Sequence, residues 1–459
     1  MTRLALLVLA LALAPAAHAA DWSGTYRLPA SAEPVRIAIE LNGRNATVAL
    51  GPGHSGRTVI PAQVADGHLR FALPGLPADV SFDGRLDGAH VTGTVSQGAL
   101  NGTFSLDRTS APHLFAYGLY RSARGEAVAI AEPGFGFPTW LVELPSGAIH
   151  GLNAALTTVG ARVGDRSGDG TLAVGAAAIS WTRDGKTTRY ARVRVRQREV
   201  RVGGTAATLT FPAGAGPFPA VVMVHGSGPH ARDEFQVFAA YCTLLGVAVI
   251  ADDKRGIGES AGSYPGESAT PSTIDVLARD AQAEVRFLGQ LPQVDPARIG
   301  LLGDSQAGWI IALAAARERA IRWAVPLVGP TVSVDENDYW ARLAGEGAVQ
   351  PVGTNAEMTA KVRAAGRSGF DPEPWLRKLT IPVHWIFADD DRNVPTQLCI
   401  ERLRQMQAGH DFTWSVIHAT HTLLDLPSGL NADFGRSRGF APTLYPEIGA
   451  FLRSHRIVR

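Results

Sequence analysis

Cysteine is nearly missing: Cys242 and Cys399 are the only two among 459 residues. Two cysteines cannot make a disulfide scaffold. Charge of one sign is also missing, since 43 Lys+Arg meet 42 Asp+Glu. Without a basic excess the chain is not expected to bind nucleic acid. Only Lys186, Lys254, Lys361 and Lys378 are lysines; arginine supplies the remaining positive charge. No stretch approaches the ~20 apolar residues of a membrane span, so no span is expected. What is abundant is apolar residues, at 46% against 19% charged, enough for a large core.

The first residues have the layout of an export signal. Arg3 precedes the apolar run Leu4 to Ala14, and Ala17-His18-Ala19 matches an A-x-A cleavage site. Residues 1–19 are therefore expected to be removed on export. Residues 20–108 alternate apolar and polar positions, as in Val35 to Leu41 and His68 to Leu73. Turn pairs such as Asn42-Gly43, Asp83-Gly84, Asp87-Gly88 and Asn101-Gly102 interrupt them, which predicts a small all-β domain. Residues 109–198 read as a second β-rich region. From 199 to 459 the pattern changes to continuous apolar runs at Ala220–Val224, Val247–Ala251, Ile299–Leu302 and Ile381–Phe387, with helical stretches between. Strands buried on both faces read this way, so an α/β region with a mostly parallel sheet is expected.

Three serines compete as nucleophile. Ser260 and Ser437 sit in perfect G-x-S-x-G matches; Ser305 sits in Gly303-Asp304-Ser305-Gln306-Ala307, with its second glycine one place late at Gly308. Context favours Ser305. A nucleophilic serine needs a sharp turn between a buried strand and a helix. Arg298–Leu302 supplies the strand and Gly308–Arg317 the helix. Ser260 is followed by Ser263-Tyr264-Pro265-Gly266, and Ser437 has no strand before it. A serine hydroxyl needs a base. His421, in the loop after the last strand-like run, is preferred over His418 at its end. His418-x-x-His421 as a zinc pair lacks a third ligand. Among Asp389, Asp390 and Asp391, three adjacent carboxylates cannot all be buried. Asp391 is chosen to orient the histidine, with Asp389 the runner-up. The His225-Gly226-Ser227-Gly228 turn offers the backbone N–H of Ser227, which with that of Gln306 can bind an oxyanion. His225 itself reads as a turn residue.

The order Ser305, Asp391, His421, the elbow at Gly303–Gly308 and the His225-Gly226 turn resemble the α/β-hydrolase superfamily. So do Asp253-Lys254-Arg255-Gly256-Ile257-Gly258-Glu259-Ser260, similar to its D-x-R-G-x-G-x-S segment, and Asp391–Pro395, similar to its acid loop. The resemblance covers about 200–459 and departs from the family pattern at Ala307. It implies a sheet with helices on both faces and a short cap at about 329–379. The cap aromatics Tyr339, Trp340, Phe370 and Trp375 suggest an apolar group over the serine, or else the cap's own core. It also implies a serine hydrolase without metal or organic cofactor, acting on a small-molecule ester or acyl substrate. A serine peptidase is the alternative, and an inactive binding protein using the β domains is the second. Cys242 and Cys399 are expected in helices on opposite sheet faces, and hence unpaired.

Overall fold

A computed structural model of the chain describes residues 20–29, 35–42, 44–50, 57–73, 79–108, 118–131, 139–153, 156–175 and 177–459. The expected export signal and the turn at Gly43 lie outside the described residues. The chain divides into two compact units, one ending at Pro112 and the other carrying the remainder from His113.

The first unit is a closed eight-stranded barrel: β1 (Ala20–Arg27), β2 (Val35–Asn42), β3 (Asn45–Leu50), β4 (Arg57–Ala65), β5 (His68–Leu73), β6 (Val80–Asp87), β7 (His90–Gln97) and β8 (Leu100–Arg108). Alternation puts Leu69, Phe71, Phe82, Val91, Val95, Phe104 and Leu106 inside. Phe71 and Phe82 stack at 4.4 Å, and Phe104 meets Phe82 edge-on at 5.3 Å. Closure through β1 and β8 leaves no free sheet edge. Two expected turns fall inside strands instead. Asp83-Gly84 is in β6 and Asn101-Gly102 in β8. Those glycines mark close approaches, a common use of glycine within strands. A Cβ on Gly84 would lie 2.4 Å from the Phe104 ring, and one on Gly102 1.8 Å from the Arg27 carbonyl oxygen.

The second unit begins with an antiparallel sheet in the order β12-β11-β10-β9-β16-β15-β14-β13. Its strands are β9 (Gly118–Ser122), β10 (Ala127–Ala131), β11 (Trp140–Leu144), β12 (Ile149–Gly151), β13 (Thr158–Gly160), β14 (Gly168–Val174), β15 (Ala178–Arg183) and β16 (Lys186–Arg192). β10 is buried along its whole length. One of its faces packs within this sheet, on Tyr120, Leu141 and Trp181. The other joins a core shared with the α/β region that follows. This β-rich region is thus welded to the α/β region through common apolar surface.

The α/β sheet has the order β17-β18-β20-β19-β21-β22-β23-β24. These are β17 (Arg196–Val202), β18 (Thr205–Phe211), β19 (Phe218–Val224), β20 (Ala248–Asp252), β21 (Val294–Asp304), β22 (Trp323–Leu327), β23 (Val383–Asp390) and β24 (Phe412–Thr420). It is mixed, with an antiparallel edge beside a parallel run. β17, β18 and β20 pair antiparallel, and the pairings from β20 to β24 are parallel. The exposed polar positions of β17 hid this hairpin from a search for continuous apolar runs. Helices α1 (Gln236–Leu244) and α8 (Leu444–Ser454) cover one face. Helices α2 (Pro271–Gly289), α3 (Ala307–Arg317) and α7 (Thr396–Met406) belong to the core on the other. Cys242 on α1 and Cys399 on α7 are buried free thiols in these two separate cores. No helix among the described residues is long and apolar enough to cross a membrane.

The insertion after β22 forms α4 (Val334–Ala344), α5 (Asn355–Ala365) and the short α6 (Glu373–Leu376). Trp340 and Phe370 are buried in the α2–α3 core, with Tyr339 and Trp375 packed against it. Arg317 and Lys378 lie on the Trp375 ring, at 4.9 and 4.2 Å from its centre. These aromatics serve packing, the second of the two roles expected for them.

Candidate active site

The carboxyl ends of the parallel strands gather the candidate residues, where open α/β sheets present their ligand crevices. β21 is buried from Ile299 to Gly303 and stops at Asp304; α3 starts at Ala307. Ser305 between them has φ +53°, the left-handed region that side chains other than glycine rarely adopt. Its N–H donates to the Leu327 carbonyl at 2.9 Å, so the end of β22 braces the turn. The displaced glycine has a steric cause. A Cβ on Gly308 would fall 2.7 Å from the Gly329 carbonyl carbon. Position 307 tolerates alanine, but its methyl lies where a Cβ on Gly303 would come within 2.7 Å.

β23 and β24 are parallel neighbours, with Asp390 opposite Thr420. The residues just beyond, Asp391 and His421, therefore leave the sheet side by side. His421 Nδ1 lies 3.0 Å from each Asp391 carboxylate oxygen, and its Nε2 lies 3.0 Å from Ser305 Oγ. Asp391 Oδ1 also accepts the N–H groups of Asn393 and Val394, each at 2.8 Å. These bonds fix the carboxylate before it meets the histidine. Burial is the largest influence and opposes charge on His421, but the Asp391 charge, its hydrogen bond and Asp304 together outweigh it. The His421 pKa is raised above its ordinary value. Burial likewise raises the pKa of the Asp304 carboxyl.

The alternatives separate cleanly in space. Exposed His418 pairs with Asp389 at 2.8 Å, a partnership apart from Ser305. Ser260 Oγ donates to the Asp253 carbonyl at 2.6 Å and accepts from the Ala206 N–H at 2.7 Å, closing a buried turn. Ser437 is fully buried, its hydroxyl within 3.1 Å of both Gly439 backbone polar atoms. Its carbonyl accepts from the Val163 N–H at 3.0 Å, tying it to the antiparallel sheet. His225 donates through Nε2 to the Asp252 carbonyl at 2.6 Å, as a turn residue would.

Val224 pairs with Gly303, which sets the loop after β19 beside the elbow. A Cβ on Gly226 would lie 3.3 Å from Ser305 Cβ. Ser227 is therefore one residue beyond a direct neighbour of the nucleophile candidate, and Gln306 follows Ser305 in sequence.

Sequence reasoning missed the groups behind this loop. Lys254 is 2% exposed, and its ammonium donates to the carbonyls of Gly226 at 2.6 Å and Gly228 at 3.2 Å and to Gln306 Oε1 at 3.3 Å. His230 bridges the Ser227 carbonyl and Glu234. The scarcity of lysine was the available signal: one of only four lies inside the D-x-R-G segment.

Residues 215–367 match the sequence profile of a family described as serine aminopeptidase, S33. The chain is 28% identical over 227 residues to Esterase EstD of Thermotoga maritima, covering 43% of this chain and 52% of that protein. It is 31% identical over 147 residues to Acyl-coenzyme A thioesterase 5 of Mus musculus, 32% of each chain. It thus spans about half the length of the first relative and about a third of the second. An esterase of Pyrococcus furiosus, Pf2001, superimposes with a TM-score of 0.41 at 16% identity, covering 57% of this chain and 91% of that one.

Proposed function

We propose that residues 199–459 are an α/β-hydrolase catalytic domain and that the protein is an exported serine hydrolase of carboxylic esters. The observation that carries this reading is the continuous contact Asp391–His421–Ser305 at a left-handed elbow. Ser305 Oγ attacks the substrate carbonyl while His421 Nε2 takes its proton. Asp391 holds the Nδ1–H and stabilises the imidazolium, as its upward pull on the His421 pKa requires. The N–H groups of Ser227 and Gln306 receive the oxyanion. The imidazolium then protonates the departing alcohol, leaving an acyl-Ser305. Water, activated by the same histidine, attacks that ester, releases the acid and restores Ser305.

Ester chemistry is favoured because the relatives named above are an esterase and a thioesterase. The second reading, a serine peptidase, draws on the matched aminopeptidase profile. One preparation assayed on p-nitrophenyl acyl esters and on aminoacyl and acylaminoacyl anilides separates them. Ester turnover should dominate; amide cleavage with no ester turnover would transfer the assignment to peptidases. Export rests on the residue pattern of 1–19. Mature protein recovered outside the cytoplasm should begin near Ala20; a cytoplasmic product retaining those residues would reject export.

A further inference from the structure

We propose that Lys254 is a positioning residue of the oxyanion site, holding the loop after β19 and the residue after the elbow in one arrangement. The inference rests on the Ser305 mechanism above and assigns a role that the mechanism leaves open.

An ammonium has three N–H donors, and Lys254 directs them to three acceptors: the carbonyls of Gly226 and Gly228 and the side chain of Gln306. The two carbonyls belong to the loop that would supply one oxyanion donor; Gln306 carries the other. A peptide is planar and trans. Fixing the Gly226 C=O at 2.6 Å from the ammonium therefore fixes the Ser227 N–H in the opposite direction. On the other side, Gln306 passes the constraint on, its Nε2 donating to the Glu267 carbonyl at 3.3 Å. His230 holds the next carbonyl in the loop, that of Ser227.

Lys254 is itself well anchored. Its N–H donates to the His230 carbonyl at 3.1 Å. Neighbouring Asp253 is held by Arg232 through hydrogen bonds of 2.9 and 2.6 Å. The acceptors on the ammonium are all neutral, so this cation is buried without a carboxylate in hydrogen-bonding contact. Such burial is costly. A purely apolar filler would avoid the cost, but it could not grip two backbone carbonyls and an amide at once.

The pH dependence follows from the same contacts. Burial pushes the Lys254 ammonium down to about 8, against the opposing pull of Asp304, Asp252, Glu234 and Glu267. The Tyr264 ring lies 5.7 Å away, and His225 and His230 both lie against Glu234. On losing its proton the amine keeps two N–H donors for three acceptors, so the loop is released as pH rises through about 8.

The test compares wild type with Lys254→Met, using a p-nitrophenyl ester and a fluorophosphonate probe. In Lys254→Met, kcat should fall about 10- to 100-fold, less than or comparable to losing one oxyanion donor. KM should stay within about threefold, because the loop acts on the transition state rather than on substrate binding. Wild-type kcat should decline above pH about 8, and that decline should vanish in the variant. Retained kcat, or a rise in KM alone, would overturn the proposal. If Lys254→Met does not fold by circular dichroism, the wild-type profile decides, and a flat kcat to pH 9.5 overturns the proposal. A wild-type enzyme unlabelled at Ser305 would instead defeat the underlying mechanism. Labelled wild type with an unimpaired variant would defeat this inference alone.

Discussion

The turn at Ser260 matches G-x-S-x-G while the turn at Ser305 only approximates it, yet the two differ in the physical respects that matter for reactivity in favour of Ser305. Ser260 spends its hydroxyl on closing a loop, donating to one backbone group and accepting from another. Ser305 has its hydroxyl against a histidine already oriented by a carboxylate. The backbone differs too, since Ser305 is held at φ +53° between a buried strand and a helix. A serine whose bonding is complete has nothing left for substrate. A serine in a strained turn, supported on each side by glycines that let elements approach, is presented to it.

The largest contrast comes from deleting the two hydroxyls. Ser305→Ala should cut kcat by about 10⁴-fold or more, leaving only binding and the oxyanion site, and should abolish fluorophosphonate labelling. Ser260→Ala should keep labelling and turnover while losing about 1–3 kcal/mol of stability in urea melts, because a buried donor and acceptor lose their partner. Label on Ser260 would erase the distinction.

The carboxylates sharpen it next. Asp391→Asn should lower kcat by about 10²–10⁴-fold, whereas Asp389→Asn, which bonds exposed His418 and the Ala419 N–H rather than His421, should leave kcat within about twofold in steady-state assays. Equal losses from both would show that the acid assignment is wrong.

A smaller effect is expected in the pH profile. His421 must be neutral to accept the Ser305 proton, so kcat/KM should rise with pH through the His421 pKa. That pKa lies above 6.5 because Asp391 favours the imidazolium. In Asp391→Asn the favouring charge is gone while burial persists, so the acid limb of the residual activity should move to lower pH. A limb that stays in place would assign the titration to another group.

The smallest effect tests the elbow's glycine. Gly308→Ala pushes a methyl to within 2.7 Å of the Gly329 backbone and should cost about 1–3 kcal/mol in thermal or urea melts. Ala307→Gly should change activity little and cost about 1 kcal/mol of helix stability. If Gly308→Ala is neutral, the close approach of α3 to the Gly329 backbone is not what places glycine there.

Much of the site was legible because the relevant signals are local. The run Ile299–Leu302, the helix from Gly308 and the small residues between them lie within twenty residues of one another. The argument that one carboxylate of three can be buried narrowed the acid to this loop, and the position of Asp391 before Val394-Pro395 favoured it with Asp389 left as runner-up. The mixed edge of the α/β sheet was not legible: β17 exposes polar side chains and lacks the continuous apolar run used to find strands. The turns assigned at Asp83-Gly84 and Asn101-Gly102 failed for a different reason. Glycine reports either a turn or a close approach, and only the position of the Phe104 ring or the Arg27 carbonyl distinguishes them.

Composition, periodicity and order along the chain were enough to determine a β-rich beginning, an α/β region after it, and Ser305, Asp391 and His421 as the residues to watch. Tertiary structure alone decided which carboxylate meets which histidine, since Asp389 and Asp391 are two residues apart yet exit the sheet toward different partners. It alone closed the barrel and joined the second β sheet to the α/β core. It alone brought Lys254 beneath the Gly226 loop. Each depends on contacts between strands and loops far apart in sequence, where position is set by packing and pairing across the sheet rather than by any local propensity.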